Sequence, residues 1–253
     1  MRRHWWCVGI LSLALSATAC RISGDGPPGT LVTGPVNLLY ISDSSGWGVA
    51  EIYSSLIQKW LGVPVNVIDW REGGLSLKDA VAHIDRDLAT IAAADIVVLE
   101  GNPYGSGVRE GFGECMNKFA TKSPGPYTVQ DFAPYPALRE QALAKITTAR
   151  AGKPTAIRVT DIYNAAPDMW VKLGLDADCR SIWDAQHEAI SQAAATGGAR
   201  FVSAYDVFNG PNHDQSPGKK GYLTSDGIHP SSIGADAMAV ALDAAGYAEL
   251  TGK

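Results

Sequence analysis

Val36-Asn37-Leu38-Leu39-Tyr40-Ile41, running into Ser42-Asp43-Ser44, is the stretch on which the fold turns. Its apolar residues fall on both parities, so both faces of the segment are apolar. A strand of that kind belongs inside a parallel sheet covered on both sides, not at a half-solvated surface. Ser42 to Ser44 then mark the exit of the strand. In an open parallel sheet, functional groups gather just outside the carboxyl ends of the strands.

Working outward, the same strand signature recurs. Ile52, Leu56 and Trp60 keep helical spacing up to Gly62 and Pro64. Val65, Val67 and Ile68 read as a second strand. Leu77, Val81, Ile84, Leu88 and Ile91 predict one long helix, and Ile96 to Leu99 a third strand after Asp95. A Gly-, Pro- and aromatic-rich loop is expected from Asn102 to Pro136, then a helix through Leu138, Ala142, Ile146 and Ala149. Ala156 to Val159 form a fourth strand, and Ile182, Gln186, Ala189, Ile190 and Ala193 a helix. Phe201 to Ala204 form a fifth strand and Ser231 to Ala245 the closing helix. Alternation of this kind predicts an α/β fold, a three-layer α/β/α sandwich around a five-stranded parallel sheet. Ser44, the Trp70–Gly74 segment, Asn102 and the Asp161 region all follow expected strands, and His229 enters from the loop before the closing helix.

With 253 residues, 46% of them hydrophobic, the chain is long enough for one sizeable core. Residues 35–253 are expected to form a single domain. The formal net charge is −5, and without Arg2 and Arg3 it is −7. An acidic chain with no basic run is a poor partner for nucleic acid or an anionic membrane surface. Residues 1–19 have the charged start, short apolar stretch and small-residue end of an export signal. Cys20 after Ala17-Thr18-Ala19 resembles a bacterial lipobox, with Ala17 where leucine is usual. Lipidation of Cys20 and simple cleavage after Ala19 both stay open. Either way the protein is expected to be exported, touching membrane only through a lipid on Cys20, with residues 20–34 as a flexible tether. Cys115 and Cys179 are then left as a candidate disulfide in an oxidising compartment. No CxxC or histidine cluster reads as a metal site, and no cofactor is expected.

Ser225-Asp226-Gly227-Ile228-His229-Pro230 places a carboxylate and an imidazole three positions apart in one short loop. A serine hydroxyl needs an imidazole to take its proton and a third group to hold the imidazole's tautomer. Ser44 with His229 and Asp226 meets that requirement if the fold brings them together.

These stretches resemble the blocks of the SGNH hydrolases, the GDSL esterase/lipase family, over nearly the whole chain beyond the export signal. Ile41-Ser42-Asp43-Ser44 is similar to the first block, with Ser44 as nucleophile and Gly48 matching a glycine a few residues on. Gly73-Gly74-Leu75-Ser76 is similar to the second, Glu100-Gly101-Asn102 to the third, and Asp226-Gly227-Ile228-His229-Pro230 to the last. The resemblance implies an SGNH or flavodoxin-like sheet, a Ser44–His229–Asp226 triad, and an oxyanion hole made by the amides of Ser44 and Gly74 with the Asn102 side chain. Two positions depart from the family pattern: Ser42 replaces a glycine, and Glu100-Gly101-Asn102-Pro103 replaces Gly-x-Asn-Asp.

The implied activity is hydrolysis of carboxylic esters through an acyl-serine intermediate, on a small-molecule or carbohydrate ester with a short acyl chain such as acetyl. Acyl transfer by the same triad, lipase-like action on longer esters, and a non-catalytic binding role are the rivals. Among other side chains, Ser45 is expected to point away from the reaction and Asp43 to support its loop. His83, His187 and His213 are expected to be solvated. Trp47, Trp70, Tyr104, Phe112, Tyr127, Phe132 and Tyr135 are candidates to line a cleft, or else ordinary packing. The Asp206–Ser225 loop is expected to share in substrate selection with the loop after Asn102.

Overall fold

The computed structural model describes residues 32–103, 115 and 128–251. The expected export signal, Cys20, most of the tether, Tyr104, Phe112 and Tyr127 lie outside the described residues.

Five strands, β1 (Val36–Ser42), β2 (Val65–Arg71), β3 (Ile96–Glu100), β4 (Ala156–Thr160) and β5 (Arg200–Val202), form one sheet in the order β2-β1-β3-β4-β5. Every pairing is parallel. The expected three-layer α/β/α sandwich is the architecture found. β1, β3 and β4 lie in the middle, with β3 and β4 buried throughout, which is why their sequences are mostly apolar without alternation. β2, at one edge, is half-exposed and alternates less strictly.

One face of the sheet is covered by α1 (Val49–Leu61), α7 (Ala204–Asn209), α8 (Ser232–Ala244) and α9 (Ala248–Thr251). The other face is covered by α2 (Leu77–Arg86), α3 (Leu88–Ala93), α4 (Pro134–Arg150) and α6 (Asp176–Thr196), with α5 (Pro167–Leu173) beside α6.

Several expected boundaries move. The long helix through Leu77 and Ile91 breaks at Asp87, whose backbone leaves the helical region (φ −138°, ψ 64°) and whose carboxylate caps Thr90 N at 3.0 Å. An aspartate that bonds its own downstream amide competes with helix continuation. α1 buries Val49, Ala50, Tyr53 and Ile57; Ile52 and Leu56 flank that stripe and Trp60 is largely exposed, so the expected face is rotated. The loop to Pro136 is replaced from Val129 by a 3₁₀ turn (Val129–Phe132) and from Pro134 by α4. β5 starts and ends earlier than expected, because the Ser203 hydroxyl caps Asp206 N at 2.9 Å and turns the chain into α7. That helix also takes the first residues of the expected Asp206–Ser225 loop.

Candidate active site

Ser44 follows β1 after one residue, Asp43, and opens a 3₁₀ turn, Ser44–Gly46, before α1. The turn is built by its neighbours. Asp43 accepts the Ser45 amide at 2.7 Å through Oδ1 and the Asn102 side-chain amide at 2.9 Å through Oδ2. Ser42 stays in the strand without a positive φ, so the glycine usual at that position is not needed for backbone freedom. Its hydroxyl instead fills the space above Gly46, where a Cβ would come within 2.1 Å of Ser42 Oγ. Arg71, at the end of β2, donates to the Gly46 carbonyl at 3.2 Å and pairs with Glu51 and Asp69, which fastens the turn to the sheet edge.

Behind this turn lies the buried Glu100, in a position where the resemblance expects glycine. Its Oε2 accepts from the Asp43 amide at 3.2 Å and the Ser45 hydroxyl at 2.9 Å, which engages the Ser45 hydroxyl while Ser45 still borders the cavity beside Ser44. Oε1 has no partner among the described residues. Burial, and then the nearby Asp43 carboxylate, push the Glu100 carboxyl well above its usual range.

From the next strand end, Gly73 and Gly74 bring the chain back to the rim. Gly74 has φ +73°, a left-handed backbone that glycine adopts without steric cost. Ser76 and Asp79 then form a reciprocal cap that starts α2. Asn102 bridges to Ser76, and its carbonyl accepts the Leu77 amide at 3.0 Å. From below, Arg139 holds the Leu99 carbonyl at 2.9 Å and the Tyr135 hydroxyl bonds the Gly101 carbonyl. The altered third block thus keeps Asn102 at the rim by a different set of supports.

The late loop is held together mainly from within. Asp226 Oδ1 accepts the Ile228 amide at 2.8 Å, the His229 amide at 3.0 Å and the Thr224 hydroxyl at 2.7 Å. Oδ2 lies 2.6 Å from His229 Nδ1. The His229 carbonyl accepts the Thr224 amide at 2.9 Å, and the Tyr163 hydroxyl donates to the Ile228 carbonyl at 2.7 Å. The bonds that Asp226 accepts, that from the His229 ring foremost, hold its carboxyl far below the usual carboxylate range. The other ring nitrogen, Nε2, lies 3.1 Å from Ser44 Oγ across 185 residues of sequence. The structure therefore brings Ser44, His229 and Asp226 into one hydrogen-bonded series.

A cavity of about 170 Å³ opens beside this series, lined by Ser44, Gly74, Asn102 and His229 together with Tyr163 and Trp183. Among the described residues, the amides of Ser44 and Gly74 are not paired with any acceptor. The arrangement places a hydroxyl, an imidazole and a carboxylate in hydrogen-bonded sequence beside a cavity that Gly74 and Asn102 also line.

Sequence reading missed Tyr163 and Trp183, which come from a strand exit and a helix face where aromatics look like core. Of the aromatics it named, Trp47 stacks on His229, with ring centroids 4.7 Å apart and planes 19° from parallel. Trp70 packs edge-on to His83, and Phe132 and Tyr135 are buried in the core, so these three do not line the cavity. Trp70 also belongs to β2 and not to the loop after it. His187 pairs with Asp161, His213 bridges Asp184 and Asp206, and His83 is half-buried against Trp70, so none is simply solvated. Asp161 follows β4 as expected, but its carboxylate serves His187 and not His229. Cys115 and Cys179 are joined, with sulfurs 1.99 Å apart.

No protein-family model matches the sequence, and no curated protein matches it. Solved structures do. The lipase Lip_vut3 from a goat rumen metagenome aligns with TM-score 0.63 at 20% identity, covering 84% of this chain and 98% of that one. An extracellular lipase from Streptomyces rimosus aligns at 0.56 and 15% identity, covering 83% and 99%. A protein assigned to the SGNH hydrolases, from Slackia heliotrinireducens, aligns at 0.52 and 20%, covering 83% and 97%.

Proposed function

From a chain that carries the fold of the SGNH hydrolases, with hydroxyl, imidazole and carboxylate already in sequence at its rim, we infer a serine carboxylic-ester hydrolase. The observation that carries this reading is the 3.1 Å approach of His229 Nε2 to Ser44 Oγ, with Nδ1 of the same ring 2.6 Å from Asp226.

Ser44 Oγ attacks the ester carbonyl while its proton passes to His229 Nε2. Asp226 keeps the ring in the tautomer that leaves Nε2 ready to accept, and stabilises the imidazolium that forms. The carbonyl oxygen becomes an oxyanion facing the Ser44 and Gly74 amides and the Asn102 side chain. His229 returns the proton to the departing alcohol, leaving an acyl group on Ser44. Water, deprotonated by the same ring, then releases the acid.

The small cavity supports a short acyl chain. It is modest in size and lined by Tyr163 and Trp183 beside Ser44, which suits an acetyl or similar group. An acetylated carbohydrate is the substrate class we favour, with the sugar outside the cavity. The signal-like start of the chain supports export, with Cys20 placed to carry a lipid anchor.

Active-site labelling tests the reading. A fluorophosphonate probe is expected to label the wild-type protein and not a folded Ser44→Ala variant, while nitrophenyl acetate is hydrolysed faster than longer-chain esters. Equal labelling of Ser44→Ala would remove Ser44 from the nucleophile role.

A further inference from the structure

Away from the Ser44 cavity, the fold gathers a second set of chemistry-bearing side chains. His187 belongs to α6, Asp206 to α7 and His213 to the loop after α7. One ring nitrogen from each histidine and one oxygen of Asp206 all lie within 4.8 Å of one another. None of the three lines the cavity beside Ser44.

Each imidazole is oriented by a further carboxylate. His187 Nδ1 lies 2.8 Å from Oδ2 of Asp161, which is itself 2% exposed. Asp161 is fixed in turn by the Ser203 hydroxyl at 3.0 Å and the Tyr205 amide at 3.1 Å. His213 Nδ1 lies 3.0 Å from Asp184, and its Nε2 lies 2.8 Å from Asp206. The His213 ring lies nearly flat on Tyr205, centroids 3.7 Å apart, and its carbonyl accepts from Arg180 at 2.8 Å. Its backbone adopts φ +57°, a conformation that a non-glycine residue keeps when its surroundings fix it there.

We propose that His187, Asp206 and His213 form a binding site for a divalent transition metal, with Zn²⁺ the ion best suited to the donors. Two imidazoles and one carboxylate, with water in a fourth position, make a tetrahedral set for that ion. With Nδ1 of each ring tied to a carboxylate, Nε2 is the nitrogen left to each histidine for an ion. That is the outer-shell pattern which orients imidazole ligands and raises their basicity. Zinc–nitrogen bonds of about 2.0–2.1 Å require the cluster to close up slightly around the ion. As it does so, the hydrogen bond between His213 Nε2 and Asp206 opens. Its proton leaves to solvent, and both atoms turn to the metal. The ion would pin the loop after α7 against α6, and that loop leads on to the segment carrying His229.

The test uses full-length, tag-free protein stripped with a chelator and titrated with zinc chloride by calorimetry, with zinc content measured after dialysis. One zinc per chain is expected, together with a rise in melting temperature. His187→Gln, Asp206→Asn and His213→Gln should each weaken binding by at least about tenfold and remove the rise, and Asp184→Asn should weaken it by about tenfold. Circular dichroism of the chelated variants shows which are folded, and any one folded ligand variant decides. Wild-type protein that binds no stoichiometric zinc, or a folded ligand variant that binds it as the wild type does, would overturn the proposal. Ser44 labelling is a separate readout, so the two proposals fail independently.

Discussion

His229 and Asp226 face one another across 2.6 Å, and the same carboxylate also receives the His229 backbone amide at 3.0 Å. The carboxylate thus positions both the ring and the chain that bears it. Asp226→Asn cannot accept the Nδ1–H hydrogen bond with the same strength, and offers an N–H that favours the wrong tautomer. A fall in turnover of up to about 10⁴-fold is expected, with substrate affinity little changed. Because its partners hold Asp226 ionised well below about pH 3.9, acidification to mildly acid conditions should not uncouple the pair. Steady-state kinetics across pH would check both points. Retention of most activity in the variant would mean that another group orients His229.

Asn102 sits where its side chain borders the cavity and also holds Asp43 at 2.9 Å. Asn102→Ala should lower kcat by about 10²–10³-fold if it stabilises the oxyanion. Fluorophosphonate labelling should slow with it, since the probe passes through a similar charged geometry. A loss confined to thermal stability would assign Asn102 to holding Asp43 alone.

Glu100 makes an opposite pH prediction from Asp226. An unfolded glutamate ionises near about pH 4.3, whereas the buried carboxyl ionises well above that. Between the two values the native state binds more protons, so stability is full below the lower one and falls as pH rises through the upper one. Glu100→Gln, neutral throughout, should flatten this fall while keeping an acceptor for Ser45. Urea denaturation from about pH 4 upward would show it. Parallel curves for variant and wild type would show that Glu100 contributes no such linkage.

Cys115 and Cys179 close a loop with a sequence separation of 64. On the chain-entropy model a bridge of that span stabilises by about 4 kcal/mol. Cys179→Ala, or reduction of the wild type, should lower the unfolding free energy by roughly that much with the denaturant slope measured in parallel. A change below about 1 kcal/mol would place the constraint elsewhere.

The central strands were legible because a sheet covered on both faces favours apolar residues on both parities, and Ile96 to Leu99 shows that plainly. Helix limits were harder. Leu88 and Ile91 continue the spacing of Leu77 and Ile84, and only the side-chain bond from Asp87 to Thr90 stops the helix. Ser203 followed by Asp206 is a capping signal of the same local kind, and it explains the early end of β5. At the site, Ser44, Asp226 and His229 were readable because their chemistry requires particular residue types in short motifs. Tyr163 and Trp183 were not, since an aromatic beside a cavity and one inside a core look alike in sequence. His187 and His213 were misread for a related reason: their partners Asp161, Asp184 and Asp206 come from other elements, and no local pattern announces such a meeting.

The short loop from Thr224 to Pro230 closes on itself, with Asp226 accepting from Thr224, Ile228 and His229 within seven residues of chain. Acid and base consequently travel as one cartridge. A displacement of that cartridge would part the imidazole from the nucleophile yet leave the imidazole and its carboxylate docked to each other, so activity would be switched by sliding a finished unit and not by dismantling it.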